Sequence, residues 1–262
     1  GESMLAGLVV NGIVDAANIS ASHPREDRRA DLAARYGIRT YESNAEAARE
    51  LAGHENSAVV LCVKPQRLKK VLADLDGVIH VEQLVVSIVA GATISHLAQE
   101  FGTAKVVRAM PNTPAQIGAG ITAWTCTNAV DETERSHVRE MLSALGKELF
   151  VETENMIDMA TSLSATGPTY IFMVMEALTD AGVHMGFSRD MAKELVQETM
   201  LGSVKFAMAS HKHPAELRNM VTSPGGTSAE AIYQMEKGSL RTVLSKAVYS
   251  AYKRAVELGK KS

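Results

Sequence analysis

The stretch at residues 221–228 contains the residues best suited to hold a small anion. It reads Val-Thr-Ser-Pro-Gly-Gly-Thr-Ser, so paired glycines and several hydroxyl groups stand directly before a helical pattern. Glycines let a ligand approach the backbone closely, and a helix N-terminus offers free N–H groups and the positive end of its dipole. A carboxylate or a phosphate fits such a loop. The structural alternative is an N-cap with a flexible turn, and this stretch alone does not decide between them.

Two further stretches point to a dinucleotide. The chain opens Gly1-Glu2-Ser3-Met4, a helical pattern starting on a glycine, as the tail of a phosphate-binding glycine loop does. At residues 22–25, Ser-His-Pro-Arg follows an apolar run, where a dinucleotide-binding fold places the adenine ribose. NAD sites tend to present Asp or Glu there, whereas Ser22, His23 and Arg25 suit a 2′-phosphate. The alternative is a polar loop that opens a helix.

Two proline-containing segments follow later apolar runs. In Val63-Lys64-Pro65 the proline stands where a helix starts, and Lys64 is brought to the edge of the sheet. Lys64 there either contacts a ribose or phosphate or is merely solvated. In residues 108–114, two prolines are expected to hold Asn112 and Thr113 in a rigid extended loop. Such rigidity favours a binding loop.

The other polar residues indicate neither a metal site nor a nucleophile. The eight histidines include no HExxH, and only His211 and His213 are closely spaced, in a polar turn. No GxSxG elbow is present. We therefore expect no metal, and we expect a reaction that depends mainly on positioning its reactants.

Composition narrows the class of partner. The 262 residues carry 27 Lys and Arg against 30 Asp and Glu, a net charge of -3, which gives no global attraction for nucleic acid or an anionic membrane. No apolar run approaches the roughly 18 residues of a membrane span. The two cysteines, Cys62 and Cys126, have no CxxC or Cys/His companion and indicate reduced thiols. We expect a cytoplasmic protein with a small-molecule partner, and neither nucleic acid nor membrane.

The elements that would position these residues change near residue 152. Before it, helical patterns alternate with short apolar runs, which is typical of an α/β fold with a parallel sheet. The runs are residues 18–22, 58–63, 84–89, 105–109, 120–126 and 147–151. After about residue 153 only long helical patterns follow, so we predict a second, all-helical domain.

One predicted helix in that domain is unusually apolar. Residues 170–175 read Tyr-Ile-Phe-Met-Val-Met, too continuous for a helix with one buried side. We predict that this helix is buried all round, either centrally or in a subunit interface.

Together and in this order, the motifs resemble the pyrroline-5-carboxylate reductase family. The resemblance covers nearly the whole chain. Its most specific parts are residues 164–170 (Ser-Ala-Thr-Gly-Pro-Thr-Tyr), residues 223–228 (Ser-Pro-Gly-Gly-Thr-Ser) and Arg254 with Glu257-Leu258-Gly259. In the front half, Val63-Lys64-Pro65, Ala90-Gly91 and residues 108–114 are similar to the family's cofactor-side loops.

This resemblance implies a Rossmann-like NAD(P)-binding domain at residues 1–152 and an all-α substrate-binding and dimerisation domain at residues 153–262. It implies reduction of 1-pyrroline-5-carboxylate to L-proline with NADPH, or with NADH, in a homodimer that can assemble into a larger ring. The implied cofactor residues are Gly1, Ser22, His23, Arg25, Asn44, Val63, Lys64, Pro65, Ala90, Met110, Pro111 and Asn112. The implied substrate residues are Ser223, Gly225, Gly226, Thr227 and Ser228. The expected roles are a carboxylate held by the N–H groups of Gly225, Gly226 and Thr227, and a ring nitrogen hydrogen-bonded by the catalytic Ser228.

Three departures from the family pattern are visible. The first strand and the front of the glycine fingerprint have no counterpart, so Gly1 corresponds to its last small position. Either the sequence lacks its beginning or the binding domain is damaged. Thr227-Ser228 replaces the usual Thr-Thr or Ala-Thr, and residues 164–170 are bulkier than the family's run at two places.

Two other functions stay open from the sequence. A related two-domain imine or β-hydroxyacid reductase would need a lysine acid near the nicotinamide, and Lys193 and Lys205 lie in polar helical patterns instead. A non-catalytic paralogue would bind a dinucleotide as a regulator or scaffold, which the intact Ser-Pro-Gly-Gly motif disfavours.

Overall fold

The chain forms two compact units. The computed structural model describes residues 1–50, 54 and 56–260. Residues 1–166 and the chain from Ala251 onwards form the first unit, and Gly167–Ser250 form the second. The border between the units falls after Thr166. The assignment of cofactor binding to residues 1–152 and of substrate binding and dimerisation to residues 153–262 stays a prediction.

The first unit alternates helices and strands. Its helices are α1 (Glu2–Val10), α2 (Glu26–Tyr36), α3 (Asn44–Glu50), α4 (Pro65–Asp74), α5 (Ile94–Phe101), α6 (Glu132–Ser143) and α7 (Glu154–Ala160). Its strands are β1 (Ser20–Ser22), β2 (Arg39–Tyr41), β3 (Ala58–Leu61), β4 (Leu84–Ser87), β5 (Val106–Met110), β6 (Gly120–Cys126) and β7 (Gly146–Phe150). The predicted α/β fold is confirmed, and β2 is a strand that the apolar runs did not predict.

The main sheet is mixed, so the prediction of a parallel sheet was wrong at one place. Strands β3 to β7 lie in sequence order, and β6 runs antiparallel to β5 while the other neighbours are parallel. The connection from β5 to β6 holds only a short 3₁₀ segment, Thr113–Ile117. A parallel crossover needs a dozen or more residues, so this short connection reverses the chain. Strands β1 and β2 form a separate parallel pair.

The core of the first unit lies on both faces of this sheet. On one face, Met4 of α1 and Leu142 of α6 pack with Val86 of β4. On the other, Leu72 of α4 and Leu97 of α5 pack with neighbouring strand residues. Because successive strand residues point to opposite faces, strands covered on both sides are mostly apolar. In β4 and β5 the exceptions are Ser87 and Arg108, which are also buried.

The second unit consists of helices. They are α8 (Gly167–His184), α9 (Arg189–Ser210), α10 (Pro214–Met220), α11 (Thr227–Lys237) and the first part of α12 (Leu240–Gly259). Ser188 caps α9 by accepting a hydrogen bond from the Met191 N–H. Helices α8 and α9 pack closely, since a Cβ on Gly182 would lie 2.9 Å from Ala192 Cβ. The predicted helical character of this part is confirmed.

Helix α8 is not buried within this chain. Its side chains Ile171, Phe172 and Met173 are 49%, 58% and 64% exposed. A central position for this helix is therefore excluded, and the interface between subunits is the alternative that remains. Alongside it, the described part of the unit buries little more than Gly182 and Ala192.

Candidate functional site

Three of the predicted cofactor residues surround one cavity at the edge of the main sheet. Gly1 is the N-cap of α1, and Pro111 and Asn112 follow β5. All three line a cavity of about 130 Å³. Because β4 and β5 are parallel, their carboxyl ends meet at this edge, where ligands of open α/β sheets bind.

The loop after β5 is held by its own polar contacts. Asn112 accepts a hydrogen bond from the Ile121 N–H through Oδ1, at 2.9 Å. Residue 112 has the expected extended backbone, but residues 113–117 form a 3₁₀ segment, which corrects the prediction of an extended Thr113. Met110 is the last residue of β5 and is buried, 7% exposed, with Ala90 packed against its cluster. The Met110 side chain therefore packs in the core beneath this loop, and little of it is open to a ligand.

The loop after β3 begins a helix as predicted. Lys64 is the N-cap of α4 and Pro65 its first residue, while Val63 stands just before them. A Cβ added to Gly1 would lie 3.0 Å from Cys62 Cβ. The start of α1 and the end of β3 are thus close together.

A hydrogen-bonded chain lies at the ends of β1 and β2. Ser22 Oγ donates to Asn44 Oδ1 at 2.6 Å, and Asn44 Nδ2 donates to Asp74 Oδ2 at 2.9 Å. Asn44 and Asp74 line an open cavity of about 520 Å³ together with Glu42, Ser43, Glu46 and Lys70. Sequence reasoning missed Asp74, because it lies on α4, far along the chain from the residues it contacts.

The other two residues predicted for the adenosine end lie beside this chain. His23 is placed by its backbone N–H, which donates to the Tyr41 carbonyl at 3.0 Å, and its Nδ1 accepts from the Arg25 N–H. The Arg25 side chain is 66% exposed and lies 3.7 Å from Asp27. Its guanidinium is therefore weakly held and can reach towards a ligand.

The loop after β4 is packed under the last turns of α12. Gly91 follows Ala90 and has φ of +81°, a conformation that favours glycine. A Cβ there would lie 3.1 Å from the Leu258 carbonyl carbon. Nearby, Tyr252 donates to Asn155 Oδ1 at 3.0 Å. The positive φ and the close approach of Leu258 give a physical reason for the glycine at position 91.

The predicted anion loop of the second unit is a tight turn ahead of α11. Gly225 has φ of +69°, and the Gly226 N–H donates to the Ser223 carbonyl at 3.0 Å. A Cβ on Gly226 would overlap Ser223 Oγ. Both glycines are therefore required by the turn itself, one for its positive φ and the other for the close approach of Ser223.

Helix α11 begins at Thr227 with Gly226 as its N-cap. Ser228 is thus the second residue of the helix rather than its cap. The N–H groups of Thr227 and Ser228 belong to the first turn, where N–H groups have no acceptor within the helix. Since the Gly226 N–H is engaged in the turn, Thr227 and Ser228 supply the donors that can face an anion.

The residues at the sheet edge fit a dinucleotide. The start of α1 lies close to the end of β3, and the polar loop after β5 lines the same cavity as Gly1. The Asn44 amide lies at the ends of β1 and β2. In the described ranges, no group of three or more His, Cys, Asp or Glu residues is placed to hold a metal ion. Nor does any helix described here combine the length and the apolar character needed to cross a membrane.

Two family models match the chain. The pyrroline-5-carboxylate reductase dimerisation model matches residues 154–258, and the model for coenzyme F420-dependent NADP oxidoreductases matches residues 1–91.

Named relatives match over nearly their full length. A pyrroline-5-carboxylate reductase from Pseudomonas aeruginosa is 39% identical over 257 residues, covering 98% of this chain and 92% of the relative. One from Synechocystis sp. is 36% identical over 260 residues, covering 99% and 95%.

Solved structures share the architecture. A pyrroline-5-carboxylate reductase from Coxiella burnetii superposes with a TM-score of 0.87 at 33% identity, covering 98% of this chain and 94% of that one. A pyrroline carboxylate reductase from Plasmodium falciparum, solved with NADP bound, also gives 0.87, at 28% identity, covering 99% and 94%. A prephenate dehydrogenase from Aquifex aeolicus, at 16% identity and a TM-score of 0.51, shares the fold alone.

Proposed function

This chain belongs to the pyrroline-5-carboxylate reductase family, and we propose that it reduces 1-pyrroline-5-carboxylate to L-proline with NADPH, and less readily with NADH. The observation that carries the proposal is the turn at residues 223–228. Its glycines hold a positive φ and a close contact, and they leave the first N–H groups of α11 open to an anion. A carboxylate is the anionic group of this substrate.

We assign the substrate carboxylate to the N–H groups at the start of α11. Thr227 and Ser228 donate to it, where the helix dipole adds to the attraction. Ser223, Gly225 and Gly226 shape the turn that presents these donors. This assignment differs from the one expected from the sequence, which used the N–H groups of Gly225, Gly226 and Thr227. The Gly226 N–H already donates to the Ser223 carbonyl, and the Ser228 N–H is added as a donor.

The cofactor assignment places each end of NADPH along the sheet edge. Gly1, Val63, Lys64 and Pro65 would hold its phosphates. Ala90, Met110, Pro111 and Asn112 would form the loops for the nicotinamide end. Ser22, His23, Arg25 and Asn44 would hold the adenosine ribose and its 2′-phosphate.

The chemistry needs mainly orientation. NADPH supplies a hydride from C4 of its nicotinamide to the C=N carbon of the substrate, and the imine is electrophilic once it is protonated. Holding the reactants face to face can lower the barrier by about 7 to 11 kcal/mol. The Ser228 hydroxyl hydrogen-bonds the ring nitrogen and orients the ring while that nitrogen changes from imine to amine.

The second unit supports assembly into a homodimer. Its α8 exposes a run of large apolar side chains that a stable protein covers with a partner. We propose that dimers further assemble into a larger ring. The free thiols of Cys62 and Cys126 support a cytoplasmic location.

The proposal is tested by following NADPH absorbance after adding 1-pyrroline-5-carboxylate and identifying the product by amino-acid analysis. NADPH loss with matching formation of proline is expected. Binding of NADPH without turnover would contradict the proposal and favour the non-catalytic paralogue. Oxidation of a β-hydroxyacid with NADP⁺, without reduction of the imine by NADPH, would favour the other reductase class.

A further inference from the structure

A buried charge network joins the two loops assigned to the nicotinamide end. Arg108 lies on β5, two residues before Met110, and its side chain is 1% exposed. Its Nη1 is 2.9 Å from Glu154 Oε1 and its Nη2 is 2.7 Å from Asp158 Oδ1. Both carboxylates lie on α7, which is thereby held against the middle of β5.

The same network reaches the loop after β4. Glu154 Oε1 also accepts a hydrogen bond from the Ile94 N–H at 2.8 Å. Ile94 is the first residue of α5, so this bond fixes the point where the loop at residues 90–93 ends. Arg108 stands beside Ser87, the last residue of β4, in the sheet register. Glu154 thus connects β5, which precedes one of the two loops, to α5, which follows the other.

Arg108 is the buried member of this network, whereas the Glu154 and Asp158 side chains are 32% and 14% exposed. A buried ion pair adds little net stability, whereas removing one partner leaves an uncompensated charge. Within the described residues, Arg108 Nε has no hydrogen-bond partner, and Glu154 and Asp158 are the two carboxylates paired with the guanidinium. Loss of either carboxylate therefore weakens the pairing that holds α7 against β5.

We propose that Arg108 is a positioning residue for the cofactor: through Glu154 it holds the loops after β4 and β5 in the arrangement that receives the nicotinamide end of NADPH. The inference rests on the proposed function for the identity of the cofactor. Arg108 does not contact the reactants, and its effect passes through Ala90, Met110 and the residues after them.

The chain contains a matched control at the opposite end of β5. Glu134 Oε1 binds Lys105 Nζ at 3.0 Å, and its Oε2 accepts from the Asp131 N–H at 3.0 Å. Glu134 therefore resembles Glu154: each carboxylate pairs with a basic side chain on or next to β5 and accepts a hydrogen bond from a backbone N–H at the start of a helix. Lys105 precedes β5, so its pair lies away from the cofactor loops.

The test measures the dissociation constant for NADPH by fluorescence titration of the full chain, without turnover, at a temperature where circular dichroism shows each variant folded. Glu154→Ala removes both contacts and is expected to weaken NADPH binding about tenfold. Glu154→Gln keeps an acceptor for Ile94 and loses the charge, so a loss of about threefold is expected. Arg108→Lys, which spans one carboxylate only, is expected to fall between them.

Glu134→Ala is expected to leave the NADPH dissociation constant within about twofold of wild type. In turnover, Glu154→Gln is expected to raise KM for NADPH while kcat at saturating cofactor stays close to wild type. Wild-type NADPH affinity in Glu154→Gln and Arg108→Lys would overturn the proposal, as would an equal loss in Glu134→Ala. If wild type binds NADPH without reducing the imine, the proposed function fails, and the binding comparison still decides the role of Arg108.

Discussion

The catalytic role proposed for the Ser228 hydroxyl can be tested directly by substitution. A hydrogen bond to the ring nitrogen strengthens as charge shifts during hydride transfer, so its loss acts more on kcat than on KM. Ser228→Ala is expected to cost roughly 1 to 3 kcal/mol of transition-state stabilisation, measured by steady-state kinetics. Ser228→Thr, which restores the family's usual residue, is expected to retain activity.

The melting temperature separates this role from a structural one. Since Gly226 is the N-cap of α11, Ser228→Ala removes no cap and is expected to melt close to wild type. A normal kcat with a lowered melting temperature would refute the catalytic assignment.

Arg25 and Asp74 are expected to act in opposite directions on cofactor preference. The Arg25 guanidinium is weakly held and can pair with a 2′-phosphate, so Arg25→Glu is expected to weaken NADPH binding much more than NADH binding. Asp74 places a carboxylate against Asn44, where it repels such a phosphate, so Asp74→Asn is expected to favour NADPH.

Both variants are measured by titration with each cofactor. Equal changes for NADPH and NADH would show that neither residue senses the 2′-phosphate. Glu46→Gln, on the same cavity but without the bond to Asn44, is the control for general charge.

At this scale the sequence predicted residue types better than contacts. Ser22 and Asn44 were both predicted as cofactor residues, but the 2.6 Å hydrogen bond between them was not predicted. Asp74 and the partners of Arg108 escaped prediction, because charged residues on helices are usually solvated and nothing local marks those that fold onto a distant loop.

Among the elements, the turn ahead of α11 offers the sharpest prediction. A methyl group on Gly226 would overlap Ser223 Oγ, so Gly226→Ala must displace the turn and the N–H groups that follow it. We expect KM for the substrate to rise about tenfold or more, with the NADPH dissociation constant unchanged. Gly202→Ala, on α9 where a Cβ meets nothing within 4 Å, is the control. Unchanged substrate KM in Gly226→Ala would contradict the carboxylate assignment.

Elements with strong local signals were predicted, and those fixed by tertiary pairing were not. The proline at the start of α4 predicted the start of this helix, and the apolar runs of β4 and β5 predicted buried strands. The direction of β6 depends on a short connection, which periodicity does not encode. Strand β2 has three residues and no apolar run, so only its pairing with β1 defines it.

For the whole molecule, we predict that folding of the second unit depends on the dimer. Phe172→Glu places a charge in the exposed apolar run of α8 and is expected to give monomers or aggregates with little activity, measured by sedimentation velocity and kinetics. Val81→Glu, at an exposed apolar residue of the first unit, is expected to leave assembly unchanged. A folded, active monomer at micromolar concentration would contradict this account.

Hydride transfer to the imine carbon is tested most directly with NADPH carrying deuterium at C4 of the nicotinamide, on the transferred face. The enzyme is incubated with 1-pyrroline-5-carboxylate, and the product is examined by mass spectrometry and NMR. We predict L-proline with a single deuterium at C5. Oxidation of the labelled NADPH without deuterated proline would contradict the proposed reaction.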